Sequence, residues 1–295
     1  MDKLFQSVQK NGPVCVGLDT SLEYIPEQFK SQFDSIEEQL FEFNRSVIDS
    51  TNDLVGAYKV QIAYYEALGL SGLKAYKRTL DYIKKLKIPL IADVKRGDIA
   101  KTAEMYAKAH FSGDFEVDII TVNMYMGLDT LEPYENYLNK GKGIFVLLKT
   151  SNPGSGEIQN LKTQSNETVY EKMIDLLEKK GAKFIGTSGY SAIGAVVGCT
   201  HVEDGMTIRN RMKTSFLLVP GYGAQGGTAS DVSRYLINKN GGIINSSRGI
   251  LLAYKNKKWE GLNFDEAARK ATLEMKTQIL NELQKQSEKG DTYDS

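Results

Sequence analysis

The sequence predicts a single (β/α)8 barrel, and three observations carry that reading. Short, strongly apolar runs alternate with helical patterns about eight times along the chain. No shift in composition marks a linker between domains. The chain has 295 residues, enough for a fold that commonly takes about 250. Regular alternation of strand and helix means a parallel sheet, and the count favours a closed barrel over an open doubly wound sheet. The barrel is expected over residues 1–284, with 285–295 as a disordered tail of almost no apolar content.

The elements follow in order. Residues 14–18 (VCVGL) form the first strand, which opens into a loop at Asp19. A helix over 35–50 places Ile36, Leu40, Phe43 and Val47 on one stripe. Residues 54–60 (LVGAYKV) form the second strand, with Lys59 near its end, and helix follows from Tyr64 through Leu86. The third strand lies in 88–94 (IPLIADV) and feeds the loop 93–102 (DVKRGDIAKT). Asp93 and Lys95 are two apart, so an extended chain would point both to one face, whereas Asp98 lies beyond a turn at Gly97. The next helix carries Ala103, Tyr106, Ala107 and His110 on one stripe.

The fourth and fifth strands are 117–122 (VDIITV) and 144–148 (IFVLL), the latter running into Lys149, Thr150 and Ser151. A polar, glycine-rich connection precedes a helix over 168–180, with Val169, Met173, Leu176 and Leu177 inward and a stop at Gly181. Residues 181–192 read as an insertion of ambiguous structure. The sixth strand is 193–197, the seventh 216–219 and the short eighth 243–244. The last helix begins near Asn263, with Glu266 as a capping-box partner and Ala267, Ala271, Met275 and Leu283 inward.

The totals exclude several classes of function. Lysine plus arginine and aspartate plus glutamate balance at 37 each, so nothing points to nucleic acid or an anionic membrane. Cys15 and Cys199 sit in apolar runs without metal spacing and read as buried free thiols of a reducing compartment. No stretch has the length of a membrane span, and residues 1–10 (MDKLFQSVQK) lack the apolar core of a signal peptide. A cytoplasmic protein is expected.

Chemistry should collect at the C-terminal strand ends, where such barrels carry their active sites. Asp19, Lys59, Asp93, Lys95, Asp98, Ser151, Gln225 and Arg248 all fall there. A lysine held between carboxylates stays protonated, which makes it a poor Schiff-base nucleophile but a good proton donor beside a developing carbanion. The loop after the seventh strand, with Gly221, Gly223, Gly226 and Gly227, can bring backbone N–H groups to an anion, and Arg248 adds a planar fork of donors. Together they read as a phosphate site. His110 and His201 lie away from strand ends and read as structural. The chain has no HExxH, CxxC or Walker pattern and no GxGxxG after the first strand, so metal-free and cofactor-free chemistry is expected.

The pattern Asp93-x-Lys95-x-x-Asp98-Ile99 with Thr102, downstream of Lys59, resembles the signature of the orotidine 5′-phosphate decarboxylases. KTSNPGS at 149–155, PGYGAQGG at 220–227 and SSRG at 246–249 resemble the longer-chain bacterial branch. The resemblance implies a decarboxylase that makes uridine monophosphate, with Lys95 protonating C6 and Asp93 against the substrate carboxylate. It implies that Asp19 and Lys59 meet the ribose hydroxyls, Ser151 the pyrimidine edge, and Gln225 and Arg248 the phosphate. It also implies a homodimer in which Asp98, Ile99 and Thr102 reach the neighbouring subunit's site. Gln61, where asparagine is expected, departs from the pattern. Magnesium-dependent sugar-phosphate decarboxylases share the Asp-x-Lys-x-x-Asp core and are the enzymatic alternative. A barrel that only binds a phosphorylated ligand is the other.

Overall fold

The computed structural model describes residues 1–199, 202–223 and 226–291. Eight parallel strands close in sequence order: β1 (Val14–Gly17), β2 (Ala57–Gln61), β3 (Leu90–Arg96), β4 (Ile119–Val122), β5 (Gly143–Lys149), β6 (Ser191–Val197), β7 (Ser215–Pro220) and β8 (Gly242–Ser246). Closure is by pairing of β1 with β8, with Val14 opposite Ile244 and Cys15 opposite Asn245. Every strand is buried on both faces by a lining of side chains inside and a ring of helices outside, which is why the runs are mostly apolar.

Two cores result. Inside the barrel, Cys15, Ala57, Ile91, Ile119, Phe145, Phe216 and Ile243 meet Met1, Leu4 and Val8 of an N-terminal helix, Asp2–Asn11. That helix caps the end of the barrel where the strands begin, leaving the opposite end open. Outside, Leu40, Phe43 and Val47 of the helix Ile36–Thr51 pack with Tyr76, Leu80 and Ile83 of Gly69–Lys85 and with Ile279 of the final helix. Ser35 caps the first of these by accepting from the Glu38 amide, while Ile36 is 37% exposed and lies off the expected stripe. The helix expected from Tyr64 to Leu86 is broken into Ala63–Glu66 and Gly69–Lys85, with Gly69, the first residue of the second, at φ 62. Ala103, Ala107 and His110 are buried along Ala100–Phe111 as expected.

Three further expectations change. The helix Val169–Gly181 buries Tyr170, Ile174 and Leu177, whereas Val169 and Met173 are half-buried and face the cavity described below. Residues 181–192 are a connection rather than an insertion: a turn at Ala182–Phe184, a loop, and the start of β6. Asp2 clasps that loop by accepting from the amides and hydroxyls of Thr187 and Ser188, at 2.6–3.1 Å. Burial works against the carboxylate, but the Ser188 and Thr187 hydrogen bonds outweigh it and hold the Asp2 carboxyl down at about 2. Finally, the last helix is described through Asp291, beyond residue 284 where the barrel was expected to end. Gln286 holds it by donating to Ser233 at 2.6 Å, one turn beyond the buried Leu283. Residues 292–295 lie outside the described ones. Among the described residues no helix is long and apolar enough to cross a membrane.

Candidate active site

A cavity of about 810 Å³ opens at the C-terminal strand ends. Its floor follows from the period-two alternation of the strands. One step above the interior core, the inward positions are Gly17, Lys59, Asp93, Thr121, Leu147, Val196, Leu218 and Asn245. The polar and charged ones come from β8 and β2–β4, the apolar ones from β5–β7. The floor therefore has a charged half and an apolar half.

The charged half is one connected network. Lys59 Nζ donates to Asp19 Oδ1 at 2.9 Å and to Asp93 Oδ2 at 3.1 Å. Lys95 Nζ donates to Asp93 Oδ1 at 2.6 Å. Thr121 Oγ1 donates to the same oxygen at 2.9 Å, and Ser247 Oγ donates to Asp19 Oδ2 at 2.8 Å. Asn245 Nδ2 donates in turn to Ser247 Oγ at 3.3 Å. The lysine held between two carboxylates is Lys59, whose side chain is 4% exposed; Lys95 is 47% exposed and reaches into the opening.

Burial sets the protonation states against itself. Desolvation of Lys59 would favour the neutral amine, but Asp19 and then Asp93 outweigh it and raise the ammonium's pKa. Desolvation of Asp93 would favour the neutral acid, yet Lys59 and Lys95 hold its carboxyl well below the usual carboxylate range. Both groups are charged at neutral pH. Asp93 thus presents a fixed negative charge beside the exposed ammonium of Lys95.

Lys95 reaches this place by a different route from simple alternation. The β3–β4 pairing runs Ile91 to Ile119 and Ala92 to Ile120, then resumes at Arg96 to Val122, so β3 bulges between Ala92 and Arg96. Lys95 has φ 43, in the left-handed region, where a non-glycine residue is strained by about 1–2 kcal/mol. Its amide and that of Val94 both donate to Thr121 Oγ1, at 2.9 and 3.0 Å.

Among the remaining sequence-predicted residues, Ser151 and Arg248 line the cavity. Ser151 is accommodated by Gly198, where a Cβ would stand 2.8 Å from that of Ser151. The loop after β7 shows Gly221, Gly223 and Gly226 with φ of 106, 70 and 88, a backbone that side chains resist. Gln225 lies outside the described residues, as does His201. Asp98, Ile99 and Thr102 do not line the cavity of their own chain. Asp98 is half-buried and accepts from the Ile99 amide at 2.8 Å, while Ile99 is 54% exposed and Thr102 is exposed. His110 is structural: its Nε2 accepts from Arg96 at 3.2 Å, and burial, with Arg96 beside it, lowers its pKa to about 4. Lys149 turns away at a second register shift, between Leu147 and Lys149, and its ammonium lies 4.4 Å from the Tyr170 ring and 3.4 Å from Asp204. Gln159 closes the segment after β5 on itself by donating to Thr150 Oγ1 and accepting from the Thr150 amide. Cys15 and Cys199 are buried free thiols.

Sequence reasoning passed over Thr121, Ser247 and Asn245. Thr121 stands in an apolar strand, where threonine reads as a β-former. Only the break of inward polarity at Thr121 and Asn245, level with Lys59 and Asp93, could have singled them out. Among the described residues no three His, Cys, Asp or Glu side chains gather as metal ligands.

Known proteins resemble this chain along almost its whole length. The orotidine 5′-phosphate decarboxylase of Clostridium acetobutylicum is 58% identical over 284 residues, 96% of this chain and 99% of that one. The enzyme of the same name from Clostridium novyi is 56% identical over 283 residues, covering 96% and 99%. The solved OMP decarboxylase of Leishmania donovani superposes with a TM-score of 0.75 at 29% identity, over 96% of this chain and 97% of that one. A family profile matches residues 12–260, a span from before β1 to beyond β8 that holds every residue of the charged network. The chain belongs to the orotidine 5′-phosphate decarboxylase / HUMPS family.

Proposed function

We propose that this protein decarboxylates orotidine 5′-monophosphate to uridine 5′-monophosphate, the closing step of pyrimidine nucleotide synthesis, without metal or cofactor. The observation that carries the reading is the alternating row Asp19–Lys59–Asp93–Lys95 on the cavity floor, ending in an exposed ammonium beside a buried carboxylate. Relatives at 53–58% identity bear the decarboxylase name, which favours that branch of the family over the sugar-phosphate enzymes.

In the reaction the bond from C6 to the carboxylate breaks, carbon dioxide leaves, and the electron pair stays on C6. The Lys95 ammonium then gives its proton to C6 and is reprotonated from solvent. Asp93 lies against the substrate carboxylate, and its repulsion opposes the ground state. Fixed positive charge at Lys95 stabilises the carbanion, and such preorganised charge is usually the larger of the two effects. The apolar half of the floor receives the pyrimidine ring, with Ser151 at its edge; Asp19 and Lys59 meet the ribose hydroxyls. Arg248 and Gln225 hold the phosphate, whose remote binding energy favours closure over the reacting carbon.

The active form is a homodimer in which Asp98, with Ile99 and Thr102, completes the partner's site. This is supported by their position outside their own cavity and by exposed apolar side chains on the same segment, Ile99 at 54% and Met105 at 51%. The two buried free thiols accord with a reducing cytoplasm. The test is loss of orotidine monophosphate absorbance in excess chelator. Chelator-resistant turnover that disappears in Lys95→Ala is expected. Turnover abolished by chelator would favour a metal-dependent lyase, and binding of uridine monophosphate without turnover a non-catalytic barrel.

A further inference from the structure

Thr121 occupies an inward position of β4, buried to 1% exposure, in a strand whose other residues are isoleucine and valine. Its hydroxyl makes three hydrogen bonds, all to the bulge that carries the reacting groups. It donates to Asp93 Oδ1 at 2.9 Å and accepts from the amides of Val94 at 3.0 Å and Lys95 at 2.9 Å. The geometry explains why both amides need it. Between the pairs Ala92–Ile120 and Arg96–Val122, β3 advances four residues while β4 advances two. The surplus backbone loses its ladder partners, and a buried amide without an acceptor costs about 1–3 kcal/mol. A bulge of this kind re-aims a side chain, and a left-handed lysine persists only where its surroundings over-determine it.

We propose that Thr121 is a positioning residue of this active site: its hydroxyl holds the Lys95 backbone left-handed and the Asp93 carboxylate in place, and so aims the Lys95 ammonium. The inference rests on the reading of Lys95 as proton donor. Nothing else on β4 supplies these contacts, because Ile119 and Ile120 are apolar and Val122 pairs beyond the bulge. Valine has the shape of threonine without the hydroxyl and removes all three bonds at once. Serine keeps the hydroxyl and removes only a methyl.

Turnover and the affinity for uridine monophosphate are measured for wild type, Thr121→Val and Thr121→Ser. A misplacement of about 1 Å costs about 100-fold in rate. The expected result is a fall of that order in kcat for the valine protein, with uridine monophosphate affinity and KM within about threefold of wild type. The serine protein should retain kcat within about threefold, the rescue that a hydroxyl role requires. A valine protein with wild-type kcat overturns the proposal. So do equal losses in both variants, or a valine protein whose kcat and ligand affinity fall together. Should the valine protein not fold, Thr121→Ala is read by the same criteria, since its smaller side chain admits water to the two amides. A wild type that leaves orotidine monophosphate untouched overturns the functional reading instead. Positioning is then read from crystal structures of wild type and the folded hydroxyl-less variant: a Lys95 φ that stays positive without the hydroxyl overturns it.

Discussion

Replacing Lys59 by methionine should destabilise the protein by an amount that the network itself sets. Lys59 is 3% exposed and donates to two carboxylates, so its removal leaves buried negative charge without a counter-ion. Breaking a buried pair by deleting one partner costs about 3–5 kcal/mol. Asp93 retains Lys95 and Thr121, and Asp19 retains Ser247 and is partly open to water, which places the loss near the lower bound, at about 3 kcal/mol. Unfolding entropy of about 2.1 cal/mol/K per residue over 295 residues makes this a fall in Tm of about 5 °C. The pH dependence has a definite sign. The Asp93 carboxyl is depressed in the folded protein, so its contribution is present above the unfolded value of about 3.9 and is lost as pH falls through the folded one. Removal of Lys59 relieves that depression in part, so the gap between wild type and variant is full at pH 7 and narrows below about pH 4. Thermal and urea unfolding from pH 7 to pH 3 measure it. A Tm equal to or above that of wild type at pH 7 would refute the reasoning, as would a gap independent of pH.

Three further outcomes are expected. Arg248→Ala should weaken uridine monophosphate by about 10- to 150-fold, the worth of a charge-assisted hydrogen bond, and leave uridine unaffected; titration calorimetry of both ligands checks it. Asp98→Ala and Lys95→Ala, each inactive alone, should recover activity after subunit exchange. In the proposed homodimer about half the pairs are then mixed and about a quarter of all sites intact by two-fold symmetry, and no recovery after confirmed exchange would place Asp98 in its own subunit's site. Asp2→Asn should loosen the loop at Thr187 and Ser188. Asp2 is only half-buried, so the loss stays below about 1 kcal/mol at pH 7. It vanishes as pH falls from about 4, the unfolded value, toward the folded value of about 2, and urea unfolding at pH 7 and pH 2.5 follows it.

The sequence by itself determined the barrel and the charged strand ends that line its cavity. Eight runs, of which VCVGL and FLLV are the purest, are mostly apolar because strands inside a ring of helices are buried on both faces, a property each run carries locally. Lys59, Asp93 and Arg248 stand out for the same reason: a charge ending an apolar run must leave the core at the strand's mouth. What only the tertiary structure decided is how the strands pair. Two register shifts, invisible in the local pattern, set Lys95 left-handed in the cavity and send Lys149 out of it toward Tyr170. Pairing also brought Thr121, an ordinary strand residue in isolation, under two orphaned amides of β3, and Ser247 against Asp19 across the closure of β8 on β1. The inward faces of Val169 and Met173 depended on which helix face the neighbouring strands left open. Periodicity is written in consecutive residues; register and closure arise from contacts between residues far apart in the chain, and the placement of the cavity's charged groups rests on those.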